Sequence, residues 1–407
     1  MRHRLLYLYR WIMWNVFSRL FVRFYLGPRY HFTKSKDSAR LPKPPFVIVS
    51  NHGTFFDPWI IGYYSRYPFA IMCNDEAFTR GSVSSWYLNS IGAFPKKKGA
   101  SDFKAMKKTI SLLSSGYPVC IFPEGQTSWD GETQLMYKGI EKIVRRSRSG
   151  LVIARVTGNF LTKPWWADVI RTGRIIVTYD VVSPERIRGL SDDELFGVMK
   201  IGITHSDIKD PANRPDLFSG HDLALGLERF VWMCPACKKE DSLMTTSNEI
   251  RCGSCGCAWT IDAVCRLTPA NPHSPASGDL HDLAQLQRRR VVEKVRSASP
   301  DSVLTTSSGA RLQAGKDIFS FVETGAGTMS LTPSRLTFTH DNAAFPPQSF
   351  PVQDMENVVI QKRDIVEFGH EGTLYRFVFE RHSPMKWICY LRYLKGYRKF
   401  EEQGFIG

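Results

Sequence analysis

His52 and Asp57, five residues apart in "NHGTFFD", directly follow the apolar run "FVIVS" at residues 46–50. A carboxylate that accepts from one imidazole nitrogen fixes the tautomer and leaves the other nitrogen to take a proton from a hydroxyl, so the pair is a candidate general base. Asp57 also precedes Pro58. Aspartate at an N-cap with proline at the first helical position is a preferred helix start, which gives the same carboxylate a structural task. A second loop, "PEGQTSWDG", follows "PVCIF" and sets Glu124 and Gly125 at the end of what should be a neighbouring strand. Between the two lies "GAFPKKKG", where Lys96, Lys97 and Lys98 concentrate positive charge beside glycines, a composition suited to a phosphate. No Gly-x-Ser-x-Gly elbow is present, so serine and cysteine nucleophiles are set aside.

Cys234 and Cys237 are followed, after fourteen residues, by Cys252 and Cys255. This is the spacing of a structural zinc ribbon, in which four thiolates close a tetrahedral site and leave no position for substrate. Cys257 is either a competitor for the place of Cys255 or a packed thiol. Five of the nine cysteines fall within 24 residues, and an export signal is not expected because charges break the first apolar stretch and no small-residue cleavage site follows it, so a reducing cytosol is expected rather than a disulfide framework.

The elements that must position these residues follow from the apolar pattern. From residue 45 to about 182, apolar runs ("FVIVS", "FAIMC", "PVCIF", "LVIARVTG", "RIIVTYDVV") alternate with helical patterns at 58–66, near 83–91 and at "SDFKAMKKTISLLSSG". The last has Ser101 as the expected N-cap and Gly116 as its stop. Runs apolar on both faces argue for an α/β fold with a mostly parallel sheet flanked by helices, whose strand-end loops build a ligand crevice. "TPANPHSPASGD" reads as a linker and "LHDLAQLQRRRVVEKVR" as a charged helix. Short strands from about residue 303 and a closing helix predict an all-β, barrel-like C-terminal module.

Charge and the first 26 residues bear on partners. The chain has 54 Lys+Arg against 39 Asp+Glu, a formal net charge of +15, which favours anionic partners. Scattered basic residues and an apolar N-terminus argue against nucleic acid. In "LLYLYRWIMWNVFSRLFVRFYL", arginines break the apolar run well short of the roughly 20 residues that a spanning helix needs. At helical spacing Arg4, Asn15, Ser18, Arg19 and Arg23 share one side. That suits a helix lying in the headgroup region with Trp11 and Trp14 at the interface, the alternative being a helix docked on the protein's own core.

"NHGTFFD", "GAFPKKKG", "FPEGQTS" and, more weakly, "VIARVTG", in that order, resemble the four blocks of the lysophospholipid (glycerolphosphate) acyltransferase family, of the 1-acylglycerol-3-phosphate acyltransferase kind, over roughly residues 1–182. The resemblance implies transfer of an acyl chain from acyl-CoA or acyl-carrier protein to a lysophospholipid hydroxyl at the cytosolic face of a membrane, by a peripheral or monotopic enzyme. His52 would be the base and Asp57 its partner. Lys98, Phe122, Pro123, Glu124, Gly125 and Thr127 would bind substrate, and no covalent acyl-enzyme is required. Three departures bear on headgroup choice: Lys98 and Thr127 stand where the family commonly has arginine, and Ala154 where it has proline. The C-terminal module loosely resembles pleckstrin-homology-like domains, with Lys362, Arg363, Arg376 and Arg381 as possible lipid-facing cations. A non-catalytic lipid-binding adaptor on the same fold is the competing expectation, against which the intact His52–Asp57 pair speaks. The expected organisation is a membrane-associating helix (1–30), the acyltransferase domain (31–232), the zinc ribbon (233–267), linker and charged helix (268–300) and the β module (301–397).

Overall fold

The computed structural model describes residues 2–97 and 102–396. It contains two compact units. The first comprises the chain up to Trp165 together with Ile170–Gly220, and the second Trp166–Val169 together with the chain from His221 onward.

The first unit is built on one sheet. Its strands are β1 (Tyr30–Lys34), β2 (Phe46–Ser50), β3 (Ala70–Asn74), β4 (Phe94–Lys96), β5 (Val119–Ile121), β6 (Gly150–Thr157), β7 (Thr172–Val182) and β8 (Phe218–Ser219). They lie in the order β1-β7-β6-β2-β5-β3-β4, with β8 beside β7. Pairings of β7 with β6 and β8 are antiparallel and the others are parallel, so the sheet is mixed and mostly parallel. Successive side chains of a strand point to opposite faces. Phe46 and Ile48 accordingly enter one apolar layer, and Val47 and Val49 enter the other. The second layer is closed by the helices Phe103–Ser114, Ile140–Ser147 and Asp192–Ile203. The helix at 103 is capped by Asp102, whose side chain accepts from the Ala105 amide; the expected cap, Ser101, lies outside the described residues.

The N-terminal helix supplies part of the first layer. Residues 2–26 run as α-helix interrupted by two π-helical turns, Met13–Ser18 and Val22–Leu26. Met13, Trp14, Ser18, Val22 and Leu26 are buried. Trp14 Nε1 donates to the carbonyls of Phe69 (3.1 Å) and Ile91 (3.0 Å). Its ring lies over Gly62, where an added Cβ would stand 2.4 Å away. Trp14 is therefore a core residue and not an interfacial one. Arg19 is likewise turned inward, donating to Ser65 O at 3.0 Å. The apolar side faces out: Leu5, Leu8, Ile12, Phe17, Leu20 and Phe24 are exposed. Docking on the core and an outward apolar face thus coexist, because the helix is apolar over more of its circumference than one contact can cover. No described helix is long and apolar enough to cross a membrane.

The second unit holds two antiparallel sheets. The smaller is β12-β11-β10-β9, from β9 (Leu243–Thr246), β10 (Glu249–Cys252), β11 (Ala258–Ile261) and β12 (Leu267–Pro269). The expected linker packs along it: Ala270 N donates to Ala258 O (2.9 Å) and Trp259 Nε1 to Pro275 O (2.8 Å). After the helix Leu280–Arg296 comes a seven-stranded sheet of β13 (Thr305–Gly315), β14 (Val322–Leu331), β15 (Arg335–His340), β16 (Gln348–Pro351), β17 (Glu356–Gln361), β18 (Ile365–His370) and β19 (Thr373–Val378). Its order, β16-β15-β14-β13-β19-β18-β17, leaves β16 and β17 at opposite edges. It is a half-barrel rather than a closed one, and the helix Pro384–Leu394 lies against β17 and β18. Two of its expected lipid-facing cations are committed elsewhere: Arg376 pairs with buried Glu367 (2.5 Å), and Arg363 with Asp168 (2.9 Å).

Replacing Trp14 by alanine removes two hydrogen bonds and opens a cavity, so unfolding free energy should fall by about 3–5 kcal/mol. Trp11, 41% exposed, should cost under about 0.5 kcal/mol on the same change. Urea denaturation of the two variants gives the comparison.

Candidate active site

The loop after β2 is held by a single buried carboxylate. Asp57 is fully buried, and its Oδ2 accepts from His52 Nδ1 (2.9 Å), Gly53 N (2.8 Å) and Thr54 N (3.0 Å). Its Oδ1 accepts from Thr54 Oγ1 (3.0 Å) and Asn159 Nδ2 (2.9 Å). None of these donors is a helix amide. The helix Asp57–Tyr63 has Phe56 at its N-cap and no side-chain cap bond, so the expected N-cap role of Asp57 is not what the structure has. The aspartate faces back to the loop because five donors there outcompete the amides of its own helix.

With Nδ1 donating to Asp57, His52 Nε2 is left as the acceptor, and the nearest hydroxyl is Thr127 Oγ1 at 3.4 Å. The Phe122 ring stacks on the imidazole with centroids 4.2 Å apart and planes at 24°. The loop after β5 therefore supports His52 from two sides. Beneath the ring, Ser128 N donates to His52 O at 2.8 Å.

Glu124 is part of this support and, with His52, lines the polar cleft. It is fully buried; Oε1 accepts from His52 N (2.7 Å) and Oε2 from Gln134 N (2.5 Å). Burial pushes its carboxyl well above the usual carboxylate range, helped by the charges of Asp57 and Asp130 and opposed by the two amides. Pro123 contributes its carbonyl to Tyr137 N (3.0 Å). Gly125 sits at φ +73 with the Tyr137 ring 3.0 Å from the place a Cβ would take, so only glycine makes this turn without strain. Among the cations, Lys98 lies outside the described residues. Lys96 is half-buried with its ammonium 5.7 Å over the Tyr137 ring, and burial lowers its pKa while Asp102 opposes the shift.

Sequence reasoning misses three supports that lie far away along the chain. Asn51 pairs with both backbone groups of Val156, Nδ2 to O (2.7 Å) and N to Oδ1 (2.8 Å). Asn159 reaches Asp57 from directly beyond Gly158, whose amide donates to Asp207 Oδ1 at 2.7 Å. Asp207 in turn accepts from His205 Nε2 (2.8 Å), and this second pair shares a polar cleft with His52, Ser128 and Asn159. Only the fourth apolar block, which ends at Gly158, hinted at any of this.

In the second unit the Sγ atoms of Cys234, Cys237, Cys252 and Cys255 lie within 4.8 Å of one another, a set that could hold a metal ion. The separations Cys234–Cys255 (3.7 Å) and Cys237–Cys252 (3.8 Å) match the edge of about 3.8 Å expected for a tetrahedron of thiolates about 2.3 Å from a centre. Cys257 is not in the set and points its Sγ at His273 O, 3.2 Å away. Although burial raises it, donation from the Ser242 hydroxyl and the Cys255 and Ser254 amides brings the Cys252 thiol down to about 6.

Residues 31–157 match the family model described as Acyltransferase. Over 115 residues the chain is 27% identical to the chloroplastic 1-acyl-sn-glycerol-3-phosphate acyltransferase of Arabidopsis thaliana. That match covers 28% of this chain and 31% of the relative, so the chain spans about a third of that protein's length. The crystal structure of the 1-acyl-sn-glycerophosphate acyltransferase of Thermotoga maritima is similar with a TM-score of 0.36 and 18% identity, over 50% of this chain and 96% of that one. A protein solved in a screen for protein–lipid interactions in Saccharomyces cerevisiae is similar with a TM-score of 0.18 and 16% identity, over 24% of this chain and 99% of that one. At those scores the two structural likenesses carry no argument. The residues matched by that family model run from β1 to β6 and include His52, Asp57, Phe122 and Glu124.

Proposed function

We propose that the protein transfers an acyl chain from an acyl-CoA or acyl-carrier-protein thioester to the hydroxyl of a lysophospholipid, with 1-acylglycerol-3-phosphate as the favoured acceptor. The observation that carries this reading is the His52–Asp57 pair at 2.9 Å, which leaves Nε2 beside a hydroxyl. Lys98 is the proposed contact for the acceptor's phosphate, and Thr127 lacks the guanidinium fork that arginine would bring to it.

A membrane setting agrees with the surface around the loop. Rings run from Tyr25 to Phe21 (5.1 Å), to Trp59 (6.2 Å) and to Phe55 (5.4 Å), which lies within the His52–Asp57 loop. Tyr25 and Phe55 are exposed, as are Val83 and Trp86 on the helix Ser82–Ser90. The first 36 residues contain eight arginines and lysines and no Asp or Glu. An apolar, aromatic face rimmed by cations suits the headgroup region of an anionic bilayer. A peripheral enzyme placed there would meet its acceptor without drawing it into water.

For the second unit we propose one structural zinc. The two residues before Ser242 tie the ribbon to its surroundings. Glu240 accepts from Tyr390 Oη (2.6 Å), Lys294 Nζ (3.0 Å) and Thr305 Oγ1 (2.7 Å), and Asp241 pairs with fully buried Lys386 and with His382 (3.0 Å). The metal would hold the turn that delivers these carboxylates and take no part in the chemistry.

Purified protein assayed in detergent with acyl-CoA and a panel of lysophospholipids tests the activity; no consumption of thioester with any acceptor or donor would refute it. His52→Ala should lower kcat by about 10²-fold or more. Because Asp57 holds the base instead of capping a helix, Asp57→Asn should also cost about 10²-fold or more. Glu124→Gln keeps the volume but turns an amide NH₂ toward a backbone N–H, and should lower kcat roughly tenfold with little change in acceptor KM. Metal analysis of unoxidised protein should find one zinc per chain, and its removal by chelator should lower the melting temperature of the second unit.

A further inference from the structure

A group of unpaired cations lies on the side of the first unit's sheet away from the N-terminal helix. The helices Phe103–Ser114 and Ile140–Ser147 lie against each other over the second apolar layer, and Ala105, Leu112, Leu113, Ile143 and Val144 fix their inner sides there. Their outer sides carry Lys104, Lys107, Lys108, Lys142 and Arg146, all exposed, and exposed Arg148 follows directly after the second helix. Between Asp102 and Glu124 the chain has no acidic residue. Glu141 is buried, with both carboxylate oxygens turned to the Gly139 amide at 2.8 Å. Neighbouring cations do find partners: Lys138 pairs with Asp193 and Arg145 with Asp192, each at 2.7 Å. The first group has no carboxylate partner among the described residues. Lys104 and Lys108, and likewise Lys142 and Arg146, are like charges four residues apart, a spacing that destabilises a helix. The fold therefore gains nothing from holding them together, and an anionic partner would.

Three observations narrow that partner. The N-terminal helix buries Met13, Trp14 and Val22 in the first layer, so the sheet stands between its outward apolar face and these cations. A bilayer that holds the protein by that face leaves the cations to a soluble partner. The cations also extend over two helices, of which the longer, at 12 residues, is about 18 Å long. Free coenzyme A gathers its phosphates around one nucleotide and needs no field of that width. Finally, the surface offers an apolar contact and reaches the candidate site. Phe103 is 80% exposed and stands one turn before Lys107. Lys97 N donates to Asp102 Oδ2 at 3.0 Å, Lys96 lies over the Tyr137 ring, and that ring packs against Gly125.

We infer that the outer sides of these two helices dock a small acidic protein, the carrier that presents the acyl group as a thioester, with Phe103 as the apolar contact. The inference rests on the acyl-transfer reading and selects between its two donors. Complementary charge steers the encounter and fixes the orientation of the docked partner. Docked here, the carrier lies beside the turn at Glu124 and Gly125, and its thioester arm enters the crevice at His52. The surface itself makes and breaks no bond.

The test uses the full-length protein in detergent with lysophosphatidic acid as acceptor, and compares palmitoyl-acyl-carrier protein with palmitoyl-CoA as donor. The triple variant Lys104→Glu, Lys107→Glu, Lys108→Glu should raise the KM for the carrier-bound donor about tenfold or more, and the double variant Lys142→Glu, Arg146→Glu should act in the same direction. In both, kcat and KM with palmitoyl-CoA, the melting temperature and co-sedimentation with anionic vesicles should stay at wild-type values. Raising salt to about 0.3 M should weaken use of the carrier-bound donor in the wild type and much less in the variants. An equal loss with palmitoyl-CoA would give the cations to the free nucleotide donor, release from vesicles would give them to the bilayer, and an unchanged KM for the carrier-bound donor would leave them as a solvated face; each result overturns the proposal. Titration with unacylated carrier protein separates the two readings. Binding that the variants lose, without turnover of any thioester, would keep the docking surface and remove the acyltransferase reading, whereas turnover of palmitoyl-CoA with no binding of carrier protein would do the reverse.

Discussion

Everything near the candidate base depends on one carboxylate finding enough donors in the dry interior. A buried charge left without partners costs several kcal/mol, and a charge that accepts five well-placed hydrogen bonds does not. Asp57 meets that requirement with an imidazole, two amides, a hydroxyl and a side-chain amide. The consequence reaches outward. Gly53 must lack a side chain, because Asn159 stands within 2.7 Å of where one would begin. Asn159 must come from beyond β6, so β6 must lie next to β2, which the parallel register Ser50↔Ala154 secures.

A second ring of contacts fixes what Asp57 does not. The backbone of His52 is held at its amide by Glu124 and at its carbonyl by Ser128, while the Phe122 ring limits the imidazole's tilt. All three come from the loop after β5, directly beside β2. Two adjacent parallel strands thus deliver one reactive side chain and its mould, as the crevice rule for open α/β sheets leads one to expect. The arrangement also explains why the base is rigid although it sits in a loop.

The central strands were legible because they are buried on both faces and read as unbroken apolar runs: β2, β5 and β6 contain no exposed residue. β1 escaped notice since only Tyr30 of "YHFTK" is buried, which leaves no alternation to see. The helices Pro184–Gly189 and Asp192–Ile203 follow the last apolar run and were likewise unread, despite a capping box at Ser191 and Glu194. At the site, residue types were legible and their jobs were not. Asp57 carries the local signature of a cap, and only donors from elsewhere in the fold reassign it. Glu124, expected as a substrate contact, also holds two backbone amides that its local sequence does not reveal. Cys234, Cys237, Cys252 and Cys255 needed no such help to be grouped, since their spacing alone singles them out as a set that could hold a metal ion. Trp14 shows the opposite hazard: an amphipathic pattern names two faces without saying which one the core will take.

Trp166–Val169 belongs to the second unit although the segments on either side of it, up to Trp165 and from Ile170 to Gly220, belong to the first. The four residues are well anchored there. Asp168 binds both Arg229 (2.8 Å) and Arg363 (2.9 Å), its amide donates to Leu225 O (3.1 Å), and Trp166 O accepts from Arg229 (3.1 Å). The two units are therefore interleaved in the chain and not strung one after the other. A ribosome would release the anchor more than fifty residues before the first of its partners, and the first unit would be completed across a loop that is waiting for them. No single cut separates the units intact: a fragment beginning at His221 lacks the carboxylate that two of its arginines need. Heredity meets the same obstacle, since recombination at the 220/221 boundary could neither add the second unit to another protein nor remove it from this one without leaving charged groups unpaired.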